Sequence, residues 1–182
     1  MKYLFMAFIF FPTLFMAQNN KDIRDDEYLE KLDQAKKFYW EGKKKAEAGD
    51  FIGAITELNK GINIYPKYFY LCYERGKAKF DLEDFRGAIS DYNQALDADY
   101  VYLEADVYFD RGLAKARIKD FRGAIEDCNK VIKLDPEYDA AYYNRGLFKF
   151  QINDTNGACL DLSKAGELGM AKAYEIIKQY YN

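Results

Sequence analysis

The sequence predicts an all-α protein built as a solenoid of helix-turn-helix repeats. Three observations carry that expectation. A short pattern recurs four times, as Asp50-Phe51-Ile52-Gly53-Ala54-Ile55, Asp84-Phe85-Arg86-Gly87-Ala88-Ile89, Asp120-Phe121-Arg122-Gly123-Ala124-Ile125 and Asp154-Thr155-Asn156-Gly157-Ala158-Cys159. A glycine stands 12 residues ahead of each alanine, at Gly42, Gly76, Gly112 and Gly146, with spacings of 34, 36 and 34. Between these marks apolar and small residues recur at i, i+3 and i+4, as in Ala88, Ile89, Tyr92, Ala95 and Leu96, the period of an amphipathic helix. Self-similarity at such a period marks a repeat architecture.

Residues 1–17 form an almost unbroken apolar run after Lys2 and read as a secretory signal peptide. The run is short and interrupted by Pro12, whereas a bilayer span needs about 20 apolar residues. Phe15 stands where a cleavage site prefers a small residue, so cleavage before Gln18 competes with an uncleaved anchor. Residues 18–34 are a polar lead-in and the start of the first helix. The array then covers 35–172, in units 35–68, 69–104, 105–138 and 139–172.

Each unit reads as two helices. The aspartate opening each short pattern is placed to cap the second helix, its carboxylate accepting from amides that lack an intrahelical partner. Pro66 and Pro136 end the second helices of the first and third units. A glycine inside each first helix costs about 1 kcal/mol of propensity relative to alanine. Its recurrence calls for close crossing of the two helices, glycine facing alanine. The two extra residues of the second unit fall in Asp97–Glu104, a loop expected either to contact a partner or to pack on its flanking hairpins. Residues 173–182 are a capping helix, with Ile176, Ile177 and Tyr180 closing the core of the last unit.

Composition narrows the chemistry. The chain has 182 residues with 27 Lys+Arg against 30 Asp+Glu, a formal charge of −3, which argues against a general nucleic-acid binder. It has no histidine, which removes His-dependent acid–base catalysis and His-ligated metal sites. Cys72, Cys128 and Cys159 lie 56 and 31 residues apart, so there is no CxxC pattern. They read as buried thiols, with a Cys128–Cys159 bridge the alternative that export would permit. No phosphate loop or nucleophile elbow appears, and no catalytic residue, metal or cofactor is implied.

A unit of about 34 residues with glycine at its eighth position, alanine at its twentieth and proline near its end resembles the tetratricopeptide repeat. The departures are Tyr100 and Met170 in place of proline, Gly61 in place of a small alanine, and Thr155 in place of the turn aromatic. The resemblance implies a right-handed α-solenoid whose first helices line a concave groove that binds extended peptides. Carried over, that groove comprises Tyr39, Lys43, Tyr70, Tyr73, Lys77, Phe80, Phe109, Leu113, Tyr143, Leu147 and Phe150. Aromatics with polar tips suit interfaces, although several can equally pack between neighbouring helices. One subgroup of the family clamps the terminal carboxylate of chaperone tails. Here the corresponding places hold Tyr39, Lys43, Glu74, Asp106 and Asp110, and the two aspartates would repel a carboxylate.

Two charge patterns have competing readings. Arg75/Lys79, Arg111/Lys115 and Arg145/Lys149 are either a basic ladder for an acidic ligand or partners of Asp91, Asp127 and Asp161, which follow each arginine by 16 residues. Lys36, Lys37 and Lys43 to Lys45 around Trp40 are either a solvated face or a partner site. The expected function is a non-catalytic, exported scaffold, periplasmic or secreted, binding a protein or peptide through the groove. It would bind no nucleic acid and insert into no membrane beyond the signal segment. The alternative is a structural subunit of an envelope complex, or a homo-oligomer, joined through the solenoid ends.

Overall fold

The computed structural model describes residues 10–98 and 103–181, with side chains over 26–98 and 103–179. Residues 1–9 of the expected signal segment, Asp99 to Tyr102 of the long loop and the side chain of Tyr180 lie outside the described residues. Among the described residues there are nine helices and no strand. They are α1 (Phe10–Glu47), α2 (Phe51–Ile64), α3 (Phe69–Asp81), α4 (Phe85–Leu96), α5 (Glu104–Arg117), α6 (Phe121–Leu134), α7 (Asp139–Gln151), α8 (Thr155–Glu167) and α9 (Lys172–Tyr181). The segment read as a lead-in is helical, continuous with α1 from Phe10. No described helix is long and apolar enough to cross a membrane.

Consecutive helices pair as hairpins, α1/α2, α3/α4, α5/α6 and α7/α8, each packed on the next. Within each hairpin one aspartate both ends a helix and begins the following one. The Asp84 amide donates to the Lys79 carbonyl at 2.9 Å, and Glu83 before it has φ 60°, a Schellman closure of α3. The Asp84 carboxylate then accepts from the Gly87 amide at 2.9 Å, capping α4. Asp50, Asp120 and Asp154 repeat both bonds. A Cβ on Gly87 would fall on the capping carboxylate, which accounts for the glycine of the short pattern.

The left-handed position in these turns is glycine once, at Gly49, and otherwise Glu83, Lys119 and Asn153. Left-handed backbone costs a residue with a Cβ about 1–2 kcal/mol, of which glycine's greater unfolded-state entropy returns about 0.5–1 kcal/mol. Glu83→Gly and Lys119→Gly should therefore each raise stability by about 0.5–1 kcal/mol, read as a higher urea midpoint at unchanged slope.

The glycines inside the first helices meet the second helices at close range. A Cβ on Gly146 would lie 3.0 Å from the Ala158 carbonyl oxygen and 2.9 Å from Leu162 Cγ. One on Gly76 would lie 2.7 Å from the Tyr92 ring. Alanine and the residue four places after it together form the surface that glycine admits. The core follows the same path through the molecule, from Ala35, Leu58 and Leu71, through Phe69, Cys72, Tyr92 and Val107, to Ala124, Cys128 and Phe148. At the C-terminal end α9 lays Ala173, Ile176 and Ile177 over Leu162 and Ala165, as a cap should. All three cysteines are buried and unbridged, and burial pushes the Cys128 thiol up to about 12. They serve as small apolar core residues.

Candidate protein-binding groove

Beyond neighbours in sequence, the helices that approach one another most extensively are first helices of successive hairpins, α1 with α3 and α3 with α5. First helices thus crowd along one side, and the second helices stand outside them. On that outer side Ile52 and Leu160 are 72% and 73% exposed.

The candidate residues on the inner side divide by depth. Tyr39 and Tyr73 are buried, each 7% exposed, and neither lines the two concavities of this face. Tyr39 lies edge-on to Trp40 at 4.9 Å between ring centres and also meets Tyr68 and Tyr70. Burial raises its hydroxyl pKa to about 12, so it stays neutral. The Tyr73 hydroxyl donates to Asp110 Oδ2 at 2.8 Å, tying α3 to α5 across the groove. Lys43, Tyr70, Lys77, Phe80, Phe109, Leu113, Tyr143, Leu147 and Phe150 are half-buried. Phe109 packs on Tyr138 at 5.1 Å, and Leu113 and Leu147 border the Ala124–Cys128–Phe148 core. Tyr143 and Phe150 join the cluster under α9, and Lys172 sits 4.6 Å above the Tyr143 ring. The far end of the candidate set is thus partly occupied by the chain's own cap.

Two concavities open along the middle of this face. One, of about 170 Å³, is lined by Lys77, Phe80, Asp81, Tyr92, Asp110 and Leu113. The other, of about 190 Å³, is lined mainly by Lys43, Glu47, Phe51, Glu74, Lys77 and Asp81. Asp81, Tyr92, Glu47 and Phe51 are lining residues that sequence reasoning did not select. Asp81 could have been found, since it directly follows Phe80 at a groove-lining repeat position. Tyr92 could not, because a second-helix core aromatic carries no local sign that its edge reaches the inner face.

The arginine–lysine ladder is internal. Arg111 donates from Nη2 and Nε to the two carboxylate oxygens of Asp127 at 2.6 and 2.9 Å, and Lys115 reaches Oδ2 at 2.8 Å. Arg75, Lys79 and Asp91, and Arg145, Lys149 and Asp161, repeat the arrangement. Each arginine also donates from Nη1 to an asparagine of the preceding hairpin, Asn59, Asn93 or Asn129, at 2.6–2.7 Å. The ladder therefore holds each hairpin together and binds it to the one before. These cations are committed to buried carboxylates and leave no basic surface for an acidic ligand. In the first hairpin Lys45 lies 3.9 Å from Glu57, the weaker counterpart.

Around Trp40, which is 61% exposed, Lys43 stands 5.5 Å from the indole centre. No group of histidine, cysteine or carboxylate side chains among the described residues could hold a metal ion.

Residues 73–139 match the family model for the tetratricopeptide repeat. The fold is an all-α helical-repeat solenoid like those of tetratricopeptide-repeat proteins. Crystal structures of MamA superpose over most of the chain. One has a TM-score of 0.72 at 27% identity, covering 77% of this chain and 82% of MamA. Another has a TM-score of 0.75 at 26% identity, covering 81% of each. The first tetratricopeptide-repeat domain of Spaghetti (RPAP3), bound to the HSP90 peptide SRMEEVD, gives 0.63 at 26% identity over 66% of this chain and 94% of that one. No curated protein matches the chain significantly in sequence.

Proposed function

We propose that this protein is a non-catalytic scaffold that holds an extended segment of another protein along the inner face of its first helices, with all four hairpins acting as tetratricopeptide repeats. The observation that carries the reading is the pair of adjoining concavities along α1, α3 and α5, which share Lys77 and Asp81 and are lined by apolar side chains (Phe51, Phe80, Leu113) beside charged ones (Glu74, Asp110). A peptide-bound tetratricopeptide-repeat domain among the similar structures supports it. The apolar run of residues 1–17 adds that the scaffold works outside the cytoplasm, as a periplasmic or secreted protein.

The test is capture by the full chain from envelope and secreted fractions of its source cells. Substitution of Tyr73 would confound that test, because it is buried and hydrogen-bonded and Tyr73→Ala would damage the fold. Lys43→Ala with Leu113→Ala alters the lining of the two concavities instead, and Ile52→Ala with Leu160→Ala alters the outer side. A partner retained by the outer variant and lost by the groove variant is the expected result; loss by neither, with both folded, would refute groove binding. Amino-terminal sequencing of the mature protein should begin at Gln18, and a chain retaining Met1 in the cytoplasmic fraction would refute export.

A further inference from the structure

The groove's charge is opposite to what an acidic peptide needs. Five carboxylates, Glu47, Glu74, Asp81, Asp106 and Asp110, occupy α1, α3 and α5 along the inner face, with Lys43 and Lys77 the cations in the same concavities. Lys77 is engaged by Glu74 at 3.3 Å, and Lys43 stands against Trp40. Arg117, at the edge beyond Phe80, stacks 4.5 Å from the Phe85 ring and points toward Glu83 at 3.9 Å. Asp110 and Asp106 accept from the Tyr73 and Tyr138 hydroxyls, which orient the carboxylates and add no positive charge. Burial holds the Asp110 carboxyl above the usual carboxylate range against the opposing pull of the Tyr73 hydroxyl and Lys77, and a further cation beside it would favour the ionised form.

The concavity at Asp110 has an apolar side, Phe80, Tyr92 and Leu113, and an acidic side, Asp81 and Asp110, with Lys77, held by Glu74, at its margin. A lysine or arginine side chain has the same two parts, an aliphatic stem and a charged head. Resting on the proposed groove binding, we infer that the occupant is an extended peptide segment that places a lysine or arginine in this concavity, its stem on Phe80 and Leu113 and its head between Asp81 and Asp110. Charge complementarity of this kind selects the partner and suppresses acidic competitors.

The test is selection from a random displayed peptide library on the immobilised full chain, followed by fluorescence anisotropy of the recovered peptides. Peptides enriched in lysine and arginine over the input library are expected. Their binding should weaken about tenfold in Asp81→Asn/Asp110→Asn and fall as salt rises, because Asp81 is solvent-exposed and its attraction is screened. Asp81 is exposed, so Asp81→Asn alone retains the fold and should still weaken binding severalfold should the double variant melt early. Recovered peptides that are acidic or neutral, and lost in Phe109→Ala/Leu113→Ala, would overturn the charge assignment while leaving groove binding standing. Recovered peptides indifferent to every groove substitution, or none recovered, would overturn both.

Discussion

Asp127→Ala should lower stability by about 3–5 kcal/mol, the range for removing one partner of a buried ion pair. Asp127 is 2% exposed and receives three donors, two from Arg111 and one from Lys115. Without it, two largely buried cations between α5 and α6 lose the carboxylate that binds them both. Nearest-neighbour coupling in a solenoid localises the damage. Hydrogen exchange should accelerate first in α5 and α6, before the first and last hairpins. Asp127→Asn keeps acceptor geometry but not charge and should fall between parent and alanine in urea melts. An alanine variant as stable as the parent would show that the triad is only packing.

Tyr92→Ala should cost a comparable amount, about 3–5 kcal/mol, as full truncation of a buried aromatic does. The ring is 1% exposed, lies where a Cβ on Gly76 would fall, and contacts Tyr73 at 6.0 Å between centres. Its removal has a second effect, because Tyr92 also lines the Asp110 concavity. The space it vacates joins that concavity, and Tyr73, which holds Asp110 in place, loses a packing partner. Thermal melting reads the first effect. The second appears as lost peptide binding at temperatures where the variant is still folded; Tyr92→Phe should preserve both stability and binding to within a small margin.

The repeat architecture was legible because its signals are local and recurrent. The capping aspartates, the mid-helix glycines and the Arg–Asp offset each depend on one turn or one hairpin, so spacing alone identifies them. Handing each arginine on to an asparagine of the preceding hairpin was equally periodic in sequence, at Asn59, Asn93 and Asn129, but a pair across a junction has no neighbouring cue. The inner face was legible as a set of positions and not as a depth profile. Tyr39 and Tyr73 occupy ligand-facing repeat positions, yet large rings there turn onto neighbouring helices, and Tyr73 finds Asp110 only because α5 lies beside α3. The length of α1 was not legible either, since an apolar leader followed by a polar stretch gives no helical periodicity that links them.

The bridge from each arginine back to an asparagine has a direction, and its two ends are not complementary. The first hairpin carries Glu41 where the others carry arginine, and the last carries Ser163 where the others carry asparagine. A second copy stacked head to tail would set Ser163 opposite Glu41 instead of an asparagine opposite a guanidinium, and α9 already covers that surface. The arginine–asparagine bond of the internal junctions therefore has no counterpart between copies stacked in this way, which removes one contact that an open-ended heterologous assembly would use. The same polarity lets the middle of the array change length without penalty at the seams: excising 69–104 would bring Arg111 to Asn59, the same chemistry as before.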